Sequence, residues 1–418
     1  MQLTVSYHQR EILQPQTFTS SNLGPKWGFD WLRFVQEVPT DAFGITPPHV
    51  WVAQRAGGRE VHVNPDPQGV FGAHWSSRAV LVRVSSSPVR YERRLPDGTV
   101  EVYAISDGAP EGQRRVLMTQ LIDPRGQSVA LTWDAQARLV AITDAIGQVT
   151  TIAYALAGDP LKITRMTDPF GRFATFTYNP AGQLASITDV LGLTSTFAYG
   201  LNDFVSTLTT PYGRTSFRHE HTGDLANLRF VEATDPLGGT ERVEFQWESP
   251  SLAATASASD VPTGFAAWNT NLDHYNTFYW DKRASMLGAG DLTKAVVTHW
   301  MVGPEWPGWQ KYSYAPHSVK KPLEGRIWYA YPGQTAGQED TLNGSIQPSR
   351  IGRVLENGAS QIVETTYNSQ GSVLTKTDPL GRQTSYTYAS NGVDLLEVRQ
   401  TTGGMNDLSR PASLARPM

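Results

Sequence analysis

The chain of 418 residues contains no cysteine, which excludes disulfides, thiolate metal sites and a cysteine nucleophile. It also lacks any run of 18 apolar residues, the length a spanning helix needs, so membrane insertion by helices is not expected. Residues Met1 to Pro15 have no apolar core of signal-peptide length. An export signal, if one is used, lies outside this chain or is of another kind. Charge of one sign is missing as well: 35 Lys and Arg stand against 39 Asp and Glu, a net of −4, and no basic field favours nucleic acid or an anionic membrane. No Gly-x-Ser-x-Gly elbow, phosphate loop or dinucleotide fingerprint is present.

What is abundant is turn chemistry. The chain carries 37 glycines and 27 prolines, and a turn of the form Asp-x-x-Gly recurs at Asp123 and Gly126, Asp144 and Gly147, Asp168 and Gly171, Asp189 and Gly192, Asp235 and Gly238, and Asp378 and Gly381. Gly213 keeps the phase in a turn without the aspartate, and from Gly126 to Gly238 successive glycines stand 21 to 25 residues apart. A fixed period of this size is the mark of a repeat architecture, with one hairpin per unit. Aspartate accepts a bond from the backbone two residues on, proline presets φ, and glycine takes a positive φ without steric cost. Between turns, Phe176 and Tyr178 alternate with Thr175 and Thr177, the period of two that belongs to a β-strand.

These residues carry a resemblance. Asp168-Pro169-Phe170-Gly171-Arg172, Tyr178-Asn179-Pro180-Ala181-Gly182-Gln183-Leu184, Tyr367-Asn368-Ser369-Gln370-Gly371 and Asp378-Pro379-Leu380-Gly381-Arg382 are similar to RHS/YD repeats. The usual form of those repeats is an Asp-Pro-x-Gly-Arg turn, a Thr-rich strand ending in Tyr-Asp, and a Gly-Arg-Leu strand. Asn replaces Asp in both Tyr-Asn pairs, and Trp133-Asp134 replaces Tyr-Asp. Leu23-Gly24-Pro25-Lys26-Trp27-Gly28-Phe29 resembles the Gly-Pro-x-Trp segment that often precedes such repeats.

The expected fold class is all-β: antiparallel β-hairpin repeats of RHS/YD type forming a curled, spiralling or partly closed β-sheet shell, with an aromatic-rich insertion. Five regions follow: an N-terminal β entry or plug segment (1–87), the repeat array (88–248), the insertion (249–345), resumed repeats (346–400) and a polar tail without a strand signal (401–418).

The insertion holds six of the twelve tryptophans, and Glu305-Trp306-Pro307-Gly308-Trp309 sets two indoles around a turn. Exposed aromatic planes beside polar groups can hold sugar rings. Trp306, Trp309, Trp280, Trp328 and Tyr312 are therefore the candidates for sugar stacking, against the plainer reading that they pack a core. The turn aspartates invite a calcium reading, but each turn offers a single carboxylate, whereas calcium loops converge several oxygens. His219 and His221 share a strand face without a third ligand nearby, so no metal site is assigned. No cofactor is expected, and no pair among Asp260, Asp273, Asp281, Asp291 and Glu305 stands out for glycoside hydrolysis.

The resemblance implies a non-enzymatic structural role, as a wall segment of a secreted or cell-surface shell that encloses or presents another polypeptide such as a toxin. Its implied partners are that enclosed polypeptide or the remainder of a larger RHS/YD protein. Two parts of the complete family plan, a core with an aspartyl self-cleavage motif and a distinct toxin domain, have no counterpart in the sequence. The alternative function is carbohydrate binding at the cell surface, with polysaccharide as partner, and a glycoside-acting hydrolase stands third.

Overall fold

The computed structural model describes residues 3–9, 18–40, 48–54, 58–74, 76–222, 228–288, 290–306, 309–334, 341–342, 345–402 and 405–411; the side chains of 304–306, 309–312, 314 and 402–411 lie outside that description. The structure is nearly all β, with antiparallel strands following one another in chain order and a single short α-helix, Lys282–Gly288, among the described residues. It divides into two compact units, Met1–Thr215 and Ser216–Met418.

In the first unit the hairpin rule is visible strand by strand. Phe173–Tyr178 pairs with Arg165–Thr167 on one side and Leu184–Thr188 on the other. Val149–Ala153 alternates strictly, with Thr150 and Ile152 buried and their neighbours exposed. Leu131, Leu139, Ile142, Ile152, Ile163, Met166, Phe176 and Leu184 line the buried face, and Leu23, Phe29 and Trp31 of the entry segment pack against them. Each such side chain contributes about 1.5–3 kcal/mol when fully buried.

The turns explain why the sheet folds back where it does. Oδ1 of Asp168 accepts the backbone N–H groups of Phe170 and Arg172, each at 2.9 Å, while Arg172 Nε donates to Oδ2 at 2.7 Å. Asp123, Asp144, Asp189, Asp235 and Asp378 hold the same two amides in their own turns. Gly171 sits at φ +81°, a region that costs a residue with a Cβ about 1–2 kcal/mol. The turn carboxylates are thus hydrogen-bonded to backbone, and no cluster of metal-ligating residues occurs among the described residues.

Before the repeats, Phe34–Val38, His49–Ala53 and Arg59–His62 form a small sheet that joins the first half of Arg115–Ile122, whose second half pairs with Ser128–Trp133. Side chains of this small sheet meet those of Val89–Arg94, and Arg33 just before it meets Glu101 of Val100–Ser106.

The second unit differs from two sequence expectations. The stretch 249–345 is no separate insertion: His274–Trp280, Val296–Trp306, Trp309–Lys320 and Ile327–Ala330 continue the antiparallel ladder from Thr240–Glu248 to Arg350–Val354. The excursion before His274 and the short helix are among the parts that leave it. The sequence period vanishes because hairpins of unequal length replace the Asp-x-x-Gly turns, while backbone pairing carries on regardless of side chain. Within the 401–418 tail, of which 412–418 lie outside the described residues, the expectation is likewise corrected for Met405–Pro411, which pairs with Leu395–Thr402. Its side-chain pattern shows no alternation, but an exposed strand edge is sufficient to order a polar partner.

Candidate functional site

One edge of the first unit's sheet is sealed by the chain's own entry segment. Ser21 N–H donates to the Ala137 carbonyl at 3.2 Å, and Ser21 Oγ accepts the Leu139 amide at 2.7 Å. One hairpin further, Asn22 N–H donates to Leu161 O at 3.0 Å and Asn22 O accepts Ile163 N–H at 3.1 Å. Lys162 Nζ, buried, donates to Asn22 Oδ1 at 2.8 Å. At the next hairpin Gly24, at φ +96°, lies so close that an added Cβ would stand 2.9 Å from the Gly182 carbonyl oxygen. Trp27 Nε1 then donates to Tyr199 Oη at 2.8 Å. Finally Tyr7, on the strand Val5–Tyr7 that pairs with Trp27–Phe29, donates to Asp203 O at 2.7 Å and accepts the Val205 amide at 3.0 Å. Burial pushes the Tyr7 phenol up to about 12, against the lowering effect of the Val205 bond. The entry segment therefore meets successive hairpins of the first unit.

The opposite edge carries the Asp-x-x-Gly turns; at the third position of the Asp144, Asp168 and Asp189 turns, and of the Thr210 turn in the same phase, an apolar side chain is exposed: Ile146 is 80% accessible, Phe170 71%, Leu191 80% and Tyr212 82%. These tips sit on alternate strands, about 10 Å apart at a strand spacing of about 4.8 Å. They form a row of exposed apolar side chains at the repeat spacing.

Beneath the entry sheet lies a buried ionic network. Arg93 holds Glu60 with two bonds, Nε to Oε2 at 3.0 Å and Nη2 to Oε1 at 2.8 Å, and its Nη1 stands 3.2 Å from Glu101 Oε2. Arg33 is hydrogen-bonded to Glu101, and Tyr103 Oη donates to Glu101 Oε2 at 2.6 Å. Glu37 accepts from Tyr91 Oη at 2.7 Å and from the Gly112 amide at 2.7 Å, with Arg114 Nε at 3.0 Å. Burial raises the Glu60 carboxyl, but His62 and Arg93 beside it outweigh that and hold it at about 2. Burial lowers His74 to about 4, with His62 and Arg93 adding to the effect and Glu60 opposing it. The carboxylates are paired with arginines rather than poised against one another, an arrangement that cross-links strands.

The aromatic candidates divide. Trp280 and Trp328 are fully buried, which corrects their assignment to a sugar-stacking surface. Trp280 Nε1 donates to Asp291 O at 2.9 Å and Trp328 Nε1 to Asp260 O at 2.7 Å, so each indole is a core residue with its polar atom satisfied by backbone. Phe265 packs over Gly352, where an added Cβ would stand 2.9 Å from its ring. The side chains of Trp306, Trp309 and Tyr312 lie outside the described residues. His219 and His221 lie on the strand Gly213–His221, half-buried and exposed respectively.

The second unit contains a cavity of about 300 Å³ lined by Trp268, Asn271, His274, Tyr275, His299 and Trp300 among others. Sequence reading passed over Trp268 and Trp300, which have no motif; they are brought together by the turn before His274 and the register of Asn276 against His299.

Comparison with known proteins completes the description. The pattern of the RHS Repeat family matches residues 159–194 and 178–215. No curated protein gives a significant match. Among solved structures, the chain is similar to TcdB2-TccC3-TEV at 11% identity and a TM-score of 0.34, over 95% of this chain and 23% of that one. It is similar to a Tc holotoxin pore of Photorhabdus luminescens at 11% identity and a TM-score of 0.29, over 85% of this chain and 21% of that one. For TcdB2-TccC3 the values are 11%, 0.23, 91% and 27%. The chain spans about a quarter of the length of these structures.

Proposed function

We propose that this chain, an RHS-repeat protein, is a structural wall segment of a secreted or cell-surface shell that encloses or presents another polypeptide, and that it performs no catalysis itself. The observation that carries the reading is the difference between the two edges of the first unit's sheet. One is closed by hydrogen bonds from the strap at residues 20–29, and the other offers Ile146, Phe170, Leu191 and Tyr212 at the repeat period. A wall that ended there would leave apolar tips in water; further hairpins of the same period fit them in register. The buried carboxylates agree with a structural role, because arginine and tyrosine partners occupy them.

The test is protection. A protease-sensitive polypeptide joined to this chain is cut more slowly than the same polypeptide alone, and changing Ile146, Phe170 and Leu191 together to Ser abolishes the protection. Cleavage at the free rate in the unaltered protein sinks the reading.

A further inference from the structure

The entry segment and the repeat sheet of the first unit meet at one pair of side chains whose chemistry goes beyond a hydrogen bond. Lys162, 3% exposed, faces Asn22, 4% exposed. Lys162 Nζ donates to Asn22 Oδ1 at 2.8 Å. With a C=O bond of about 1.23 Å, the amine then stands within about 4 Å of the Asn22 side-chain carbon. Attack needs a separation of about 3–3.5 Å, so only a small shift from the oxygen to the carbon is required.

The amine lies beside two rings, 5.0 Å from the Phe18 centroid and 5.4 Å from that of Tyr178. Asp159 Oδ2 stands off at 3.8 Å. A buried ammonium whose short bond goes to a neutral amide is poorly compensated for its lost hydration. Burial accordingly lowers Lys162, against the raising effect of Asp159. The free amine, which is the nucleophilic form, is thereby favoured.

The amide is arranged to be attacked. Its oxygen also accepts the Gly24 N–H at 3.1 Å, so negative charge growing on Oδ1 meets a backbone donor already in place. Asn22 Nδ2 is held only by long bonds, to the carbonyls of Ser20 at 3.2 Å and Leu161 at 3.5 Å, and little is lost when it leaves. Asp159 is fixed through Oδ1, which accepts the Leu161 amide at 3.1 Å, and its side chain is 38% exposed, so a proton taken from the lysine can pass on to water.

We propose that Lys162 and Asn22 join in an isopeptide bond, with Asp159 as the proton acceptor, and that this bond locks the entry segment to the repeat sheet. Asp159 takes one proton from the ammonium, and Nζ forms its bond to the Asn22 side-chain carbon. A second Nζ proton passes to Nδ2, the C–Nδ2 bond breaks, and the ammonia leaves as ammonium with the proton that Asp159 held. One N–H remains on the new amide, the carboxylate is restored, and nothing is oxidised or reduced. The bond does not depend on the wall role.

The experiment is mass spectrometry of the purified full chain, intact and after trypsin, each chain compared with its own sequence mass. The parent is expected about 17 Da light through the loss of one ammonia, with a branched peptide that joins the segments holding Asn22 and Lys162. Lys162→Arg and Asn22→Ala should each show the full sequence mass and no branched peptide, and Asp159→Asn should leave most chains unjoined. A parent at full sequence mass after days at pH 8 overturns the proposal. So does a deficit that survives in Lys162→Arg, or one found without the branched peptide, which places the loss at another residue. Joining as complete in Asp159→Asn as in the parent overturns the step as written. Should the variants fail to fold, the parent decides: a digest without the branched peptide overturns the bond.

Discussion

The hydroxyl of Tyr178 donates to the carbonyl oxygen of Ile163, fifteen residues earlier on the preceding hairpin arm, at 2.6 Å. The same step of fifteen joins Trp133 Nε1 to Met118 O at 2.8 Å, Tyr154 to Leu139 at 2.8 Å, Tyr199 to Leu184 at 2.6 Å and Tyr388 to Val373 at 2.8 Å. The aromatic at the end of each Thr-rich strand is thus a cross-strand tie. Trp133 substitutes for tyrosine because an indole N–H donates to a carbonyl as a phenol does. Burial drives the phenols of Tyr154, Tyr178 and Tyr199 far above the usual tyrosine range, so they stay protonated donors at any ordinary pH.

Tyr178→Phe should therefore lower stability by about 1–2 kcal/mol, the loss of one half-buried hydrogen bond with its ring packing kept. Tyr212→Phe, at a tip that is 82% exposed, should leave the urea midpoint unchanged. Equal midpoints for both variants would remove the tie from the account of the repeat.

The turns and their period could be read in the sequence because Asp, Pro and Gly act locally: Asp168 binds amides only two and four residues away. The strap could not, although Leu23 to Phe29 was noticeable as a motif, because partners such as Leu139, Lys162 and Tyr199 lie 118 to 172 residues distant and one of them is a lysine. Trp280 and Trp328 look like any tryptophans in a polar stretch until the excursion at 249–273 folds over them and gives Trp328 the Asp260 carbonyl. The cavity is less legible still, for Trp268 and His299 of its lining become neighbours only through the turn before His274 and the register of Asn276 against His299.

Two glycines with similar backbone angles should respond differently. Gly171 at φ +81° has nothing within 4 Å of an added Cβ, so Gly171→Ala should cost only the backbone strain, about 1–2 kcal/mol. Gly24 at φ +96° would meet the Gly182 carbonyl at 2.9 Å as well. Gly24→Ala should cost more and loosen the strap locally, seen as faster hydrogen exchange at the amides of Leu139 and Ile163, which bond to Ser21 and Asn22. Unchanged exchange at both would detach Gly24 from the seal.

Arg93 joins two buried carboxylates, Glu60 and Glu101. Arg93→Met should cost about 3–5 kcal/mol, since it leaves buried negative charge without its partner. Adding Glu60→Gln should restore part of that loss, because one of the stranded charges is removed. A single variant that unfolds at the parent's urea concentration would show that the network is solvated.

Acid should weaken the fold in two stages whose signs agree. His74 and His299 are each held at about 4 in the folded chain against an ordinary 6.5, chiefly by burial, so the unfolded chain binds protons that the folded one refuses. Stability that is complete above pH 6.5 is lost as pH falls from there towards 4. Glu60, held at about 2 against an ordinary 4.5, acts in the same direction over a lower window, from 4.5 down to 2, as its ion pairs with Arg93 are protonated away. Urea midpoints should be level from pH 8 to 7, fall between 6.5 and 4, and fall further below 4.5. His74→Gln should make the upper stage shallower, leaving the part due to His299, and keep the lower one in place. A midpoint that rises on acidification, or an upper stage as steep in His74→Gln as in the parent, would mean that the His74 ring is accessible to protons in the folded chain.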